Sequence, residues 1–205
     1  MIERLKPYLP QQIRVGGEIR HRMELTADKM LHHLDVEHCF VRHFRERRVQ
    51  PEVPGGFSGY GMFLDAAVKA AAHGIGGDEM REFKEFRIAE LISTQSEDGA
   101  ITIFAGEPGF WDNHDQAYMI QAFVLDYRLF GTEGALVAAI RLGEFLLGRK
   151  TGVTLGLETA FLMLLEEAGD RRFLDYCREH FKLEESLAVY DRMLPINGIA
   201  HVYTW

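Results

Sequence analysis

The chain has 205 residues, 47% of them hydrophobic and 26% charged, the size and balance of one globular domain that can bury about 70% of its unfolded surface without metal or disulfide staples. Asp and Glu outnumber Lys and Arg by 31 to 23, for a net charge of −8. An acidic body of this kind argues against duplex nucleic acid, where affinity comes from Lys and Arg neutralising phosphates.

Cys39 and Cys177 are the only cysteines and belong to no CxxC pair. No disulfide framework is expected, and a reducing, cytoplasmic setting fits. The first fifteen residues carry Glu3, Arg4, Lys6, Pro7 and Pro10 and lack the apolar stretch of a signal peptide. No run approaches the ~20 apolar residues that span a bilayer, so no membrane partner is expected.

Helical periodicity runs almost throughout, and strand-like alternation is nearly absent, which predicts an all-α fold in a single domain. A lead-in over residues 1–56 contains a helix at 18–34, an irregular stretch through His43 and a Pro/Gly loop at 51–56. His32, His33, His38, Cys39 and His43 form the densest group of metal-ligand types. They lack the two separated ligand pairs of a zinc site, and Phe40, Val41 and Phe44 among them point to a packed segment. No metal is assigned there.

From residue 57 one design repeats three times: helix, tight glycine turn, helix. The turns are Gly77-Asp78, Gly131-Thr132 and Gly169-Asp170. Gly can end a helix in the left-handed conformation, and Asp or Thr can cap the next one. The helices are expected at 60–72 with 78–94, 115–130 with 133–149, and 155–168 with 171–181, as consecutive α-hairpins over 57–205.

The leading helix of the second and third hairpins is apolar on nearly every face, as in Ala117–Leu125 and Leu157–Leu165; a helix apolar all round is buried. The trailing helices of the first and third hairpins are amphipathic. Met80, Phe83 and Phe86 stand against Arg81, Lys84 and Glu85, and Phe173, Leu174, Cys177 and Phe181 against Arg171, Arg172, Arg178 and Glu179. Buried helices leading and half-exposed helices following describe a curved two-layer array, an α/α toroid or solenoid. The long connections, 96–111 and 192–200, gather at the end where leading helices begin, and long loops in compact domains are often functional.

Four groups should converge at that end: Phe57, Gly59 and Tyr60; Trp111, Asp112, His114 and Asp115; Thr154 and Glu158; His201, Tyr203 and Trp205. Aromatic faces beside carboxylates and imidazoles suit a sugar, and helix N-termini add backbone donors. The other reading has Asp112 and Asp115 capping a helix, Trp111 and Tyr60 closing a core, and Glu158 as an ordinary helical acid. Gln95-Ser96-Glu97-Asp98-Gly99 reads as a helix exit into a turn. No GxSxG elbow, Walker loop or HExxH is present.

The series Gly56-Phe57-Ser58-Gly59-Tyr60, Gly77-Asp78, Thr94-Gln95-Ser96-Glu97-Asp98-Gly99, Trp111-Asp112-Asn113-His114-Asp115 with Tyr118, and Asp126-Tyr127 before Gly131 resembles the β-L-arabinofuranosidase-type glycoside hydrolases of the six-hairpin α/α toroid class. Glu158 before Gly169-Asp170-Arg171-Arg172-Phe173-Leu174 resembles that family's next hairpin, and His201-Val202-Tyr203-Thr204 the opening of the one after. The resemblance implies a carbohydrate-binding mouth lined by Trp111, His114, Asp115, Tyr118 and His201; the residues gathered at that end add Tyr60, Glu158 and Tyr203 as binding candidates and Asp112, Asp115 and His114 as catalytic ones.

It also implies that a complete family member carries a zinc-held cysteine nucleophile and an acidic glutamate in the other half of the ring, positions that neither Cys39 nor Cys177 matches. No cofactor is therefore expected in this chain. Three hairpins make about half of a six-hairpin ring, so the expectation is an incomplete toroid, inactive alone, whose apolar edge is covered by a second copy or another chain. Two other classes stand beside a glycosidase: a self-associating scaffold for carbohydrate or protein, and an epimerase, isomerase or lyase with His114 or His201 as base.

Overall fold

The computed structural model describes residues 8–49, 58–106, 112–149 and 156–180, and these are all-α, in consecutive hairpins. Among them one isolated bridge, Arg48 with Phe104, is the only β pairing. No helix among them is long and apolar enough to cross a membrane.

The lead-in is more helical than its sequence suggests. A short 3-10 turn, Pro10–Gln12, precedes α1 (Gly17–Thr26), which runs on into a wider π turn at Ala27–Leu31. The stretch expected to be irregular is helical as well: a π turn at Glu37–Val41 continues into α2 (Arg42–Glu46). Asp35 starts this helix, its Oδ1 accepting from the His38 amide at 3.0 Å, the geometry of an N-cap. Inside it Val41 and Phe44 are buried.

The hairpins are α3 (Ser58–Ala72) with α4 (Gly77–Ile92), α5 (Asp112–Phe130) with α6 (Glu133–Leu147), and α7 (Leu157–Ala168) with α8 (Arg171–His180). Their turns carry left-handed glycines, Gly76, Gly131 and Gly169, a conformation that costs glycine least. Asp170 caps α8, its Oδ1 accepting from the Arg172 amide at 2.9 Å. Thr132 makes no such side-chain bond. α5 begins three residues ahead of its expected start, at Asp112.

Contacts fix the direction of each helix. α3 and α4 are antiparallel, Tyr60 lying by Arg87 and Phe63 by Phe83. α4 is antiparallel to α5 as well, with Lys84 against Asp126 and Arg81 over Phe130. α5 and α7 run parallel, since Gln121 bonds Gly156 and Arg128 pairs with Glu167. The leading helices α3, α5 and α7 are thus parallel neighbours whose starts share one end, with the trailing helices packed outside them.

The core follows the leading helices: Leu64, Ala67, Val68, Met119, Ile120, Phe123, Val124, Leu157, Phe161 and Leu164 are almost fully buried. Each such side chain contributes about 1.5–3 kcal/mol of transfer free energy. Two residues on α4 depart from the amphipathic expectation. Phe86, assigned to the apolar face, is 60% exposed, and Lys84, assigned to the wet face, is fully buried. Lys84 lies on the i, i+4 line of Met80 and Ile88, which faces inward. Its Nζ meets Asp126 Oδ1 at 2.7 Å and sits over the Phe130 ring.

Candidate functional site

The first turn of α5 is polar and buried on every side: Asp112, Asn113, His114, Asp115 and Gln116 are all at most 9% exposed. The positive end of the helix dipole and the unbonded amides of a first turn favour carboxylates there. Two neighbours hold Asp112. Thr102 Oγ1 donates to its Oδ1 at 2.8 Å, and Arg149 Nη1, beyond the end of α6, donates to its Oδ2 at 3.2 Å. Burial pushes the Asp112 carboxyl above its ordinary value, with Thr102 and Arg149 pulling the other way.

His114 lies against Tyr118, ring centroids 4.9 Å apart. Burial holds its imidazole below the usual 6.5, which keeps it neutral and able to accept or donate at neutral pH. Asp115 follows, 3% exposed. Gln116 donates to the Ile101 carbonyl at 3.0 Å, while its Oε1 and the Oδ1 of Asn113 are buried acceptors with no hydrogen-bond partner. The cluster is rich in acceptors and matches a ligand that brings hydroxyl donors.

The neighbouring leading helices close on this turn. Gly61, in the first turn of α3, packs against the backbone of Tyr118 and Met119. Gly156, just ahead of α7, accepts from Gln121 at 3.1 Å, about one turn below Tyr118. Glu158 opens α7 and is half-buried. Burial, with the Glu158 charge behind it, pushes the Cys177 thiol up to about 11.

Asp112, His114 and Asp115 thus share the first turn of α5, with Tyr118 against His114 one turn on, while Glu158 opens α7 further down, past the level of Gln121. Tyr60 is placed otherwise. It is fully buried, stacked on Phe40 at 5.0 Å and beside Phe44 and Phe63, and its hydroxyl reaches only the Arg87 carbonyl, at 3.5 Å. Its ring binds the lead-in to the first hairpin, and burial raises its phenol above the ordinary value. Phe57, Trp111, Thr154, His201, Tyr203 and Trp205 lie outside the described residues.

Three partners were not visible in the sequence. Thr102 and Arg149 hold Asp112 from loop and helix end, and no spacing rule links positions 102, 112 and 149. Arg141 of α6 donates to Gln95 Oε1 and to the carbonyls of Ser96 and Glu97. The 95–99 segment is the turn expected, with Asp98 Oδ1 accepting from Ser96 and the Ala100 amide.

The described residues do not fit a zinc centre. Cys39 belongs to the lead-in and Cys177 to α8, and among the described residues no three His, Cys, Asp or Glu side chains come together to hold a metal ion. His32 packs edge-on against Phe83, and His33 Nδ1 bonds the Asp28 carbonyl.

No family model matches the sequence, and no curated protein matches it. Solved structures do. A GH127 β-arabinofuranosidase superposes with a TM-score of 0.64 at 15% identity, over 84% of this chain and 33% of that one. The GH127 β-L-arabinofuranosidase of Geobacillus stearothermophilus T6 superposes with a TM-score of 0.56 at 18% identity, over 78% of this chain and 29% of that one. The resemblance read from the hairpin series thus holds at the level of the fold, and the chain spans about a third of the length of these structures.

Proposed function

We propose that this chain is a glycoside hydrolase-like hairpin domain that recognises a furanose or related sugar at the start of α5. The observation that carries the reading is the buried first turn of α5 with Asp112, His114 and Asp115, and the half-buried Tyr118 against His114, in a fold similar to two arabinofuranosidases. Asp115 and the neutral His114 imidazole bind and orient hydroxyls, with Tyr118 as the flat face and Glu158 at the rim. As these 205 residues alone it binds sugar weakly and hydrolyses nothing; a second copy or another chain supplies the rest of the ring. It works as a single domain in the cytoplasm, without a cofactor of its own.

The test is a titration with L-arabinose and methyl L-arabinofuranosides, followed by amide and His114 ring NMR signals. Shifts confined to residues 112–121 and absent in Asp115→Ala support the reading; no shift with any furanoside overturns it. A scaffold is the second reading, favoured by Leu162, 42% exposed on α7, and by the exposed Phe86 and Val137. Light scattering that finds a stable self-association, with no sugar response, would select it.

A further inference from the structure

Residues 93–106 contain no helix or strand of their own, yet they are tied down along their length. Arg47 Nη2 donates to the Thr94 carbonyl at 2.7 Å. Arg141 holds Gln95, Ser96 and Glu97, and Gln95 Nε2 reaches the Ala138 carbonyl. Arg48 pairs with the far end, its amide donating to Ile103 and its carbonyl accepting from Ala105. Between these ties the segment meets the start of α5 at two adjacent points, Thr102 on Asp112 and the Ile101 carbonyl, which accepts from Gln116.

Both carboxylate oxygens of Asp112 are engaged. Oδ1 is held by Thr102 and Oδ2 by Arg149, whose guanidinium in turn rests on the Phe145 ring, 4.9 Å away. The residue is 2% exposed. A carboxylate bound this way from a loop and from a helix end, and buried, joins three elements. Hydrogen bonds to a charged partner are the stronger kind and are expensive to break in a buried setting.

We infer that Thr102, Asp112 and Arg149 form a latch that fastens the 93–106 strap to the start of α5, and that Asp112 is a positioning residue rather than a catalytic one. This rests on the proposed site for its meaning, because what the latch positions is the turn carrying His114 and Asp115. Opening it loosens the strap at Thr102, while the Arg141 and Arg48 ties, the Gln116 bond to the Ile101 carbonyl and the buried Ile101 and Ile103 side chains still hold it.

Hydrogen exchange read by segment tests the latch without any sugar. Asp112→Asn, Arg149→Gln and Thr102→Val are each expected to speed exchange at 101–103 by about tenfold or more, as loss of a charge-assisted bond implies, with residues 160–168 unchanged; the Phe104 amide, which donates to Thr102 Oγ1, and the Ala105 amide, held by Arg48, are left out of the readout. Arg149→Lys keeps the charge and recovers part of the protection. The His114 ring signals should shift in Asp112→Asn and in Thr102→Val, the latter leaving the Asp112–Arg149 pair intact and so deciding the matter if Asp112→Asn fails to fold. Exchange at 101–103 unchanged in Thr102→Val overturns the latch, as does an Asp112→Asn protein that loses sugar binding with its strap protection intact. If the unaltered chain binds no sugar, the functional reading fails while the exchange pattern still decides the latch.

Discussion

At the scale of single residues, a few positions carry more than their size suggests. Gly61 is helical, and a Cβ there would stand 2.6 Å from the Tyr118 backbone and 2.7 Å from the Met119 amide. Backbone cannot move aside as a flexible side chain can, so Gly61→Ala should cost about 1–3 kcal/mol. Gly134, in the first turn of α6, has nothing within 4 Å of its added Cβ, and Gly134→Ala should gain about 0.4–1 kcal/mol. Urea midpoints moving in opposite directions at a constant slope would confirm both. Lys84 and Asp126, each with a side chain 1% exposed, make a pair in which either partner alone is costly. Lys84→Met should lose about 3–5 kcal/mol by leaving Asp126 buried and unpaired, and the double variant Lys84→Met with Asp126→Leu should recover most of it. His114 sets a pH dependence. Its folded-state value lies below 6.5 through burial, so the unfolded chain binds the proton more readily. Its contribution to stability is complete above about 6.5 and is lost as pH falls toward the folded-state value. An NMR midpoint below 6.5, and a flatter stability profile in that window for His114→Gln, are the expected results.

At the scale of elements, what the sequence revealed and what it hid have separate physical causes. The three hairpins were legible because their turns combine a glycine in the left-handed region with apolar runs too long for a strand. Gly131 and Gly169 do sit there, at φ 73° and 69°. In the lead-in the helix expected at 18–34 is found over 17–31, whereas the one at 37–46 was hidden because a π turn at 37–41 disturbs the 3.6 period on which helix recognition depends, although Asp35 before His38 was a readable cap. Lys84 was misassigned by its charge, when its place between Met80 and Ile88 already put it on the inward line. The candidate site was legible where it is local, in the run from Asp112 to Tyr118. It was illegible where it depends on tertiary partners: Arg149, 37 positions away from Asp112, and Tyr60, whose aromatic neighbours in the lead-in take up its ring. A phenol spent on packing and a carboxylate spent on two donors look, in sequence, like residues available to a ligand.

At the scale of the molecule, an array of hairpins gains stability from each unit and from each interface between neighbours. The first hairpin is flanked by the lead-in, which packs Phe40 and Phe44 on Tyr60, and by the second hairpin, which adds the Lys84–Asp126 pair and the close α3–α5 contact. The third hairpin, among the described residues, has the second as its only hairpin neighbour. Part of its seam is polar: Gln121 on Gly156, and Arg128 forked onto Glu166 and Glu167 with its side chain 30% exposed. Ion pairs this open are worth about 0–1 kcal/mol and are screened, the Debye length falling from about 8 Å to about 3 Å between physiological and molar salt. The apolar part of the seam, Gly143 against Leu164 and Phe173, is insensitive to screening. The array should therefore open from the third hairpin: amides of 160–168 and 173–180 are expected to exchange faster than those of 117–126. Molar salt should widen that gap by a few-fold in the unaltered chain and leave it unchanged in Arg128→Ala. Uniform exchange across α5 and α7 would instead mean that the hairpins unfold as one unit, with their interfaces stronger than the hairpins themselves.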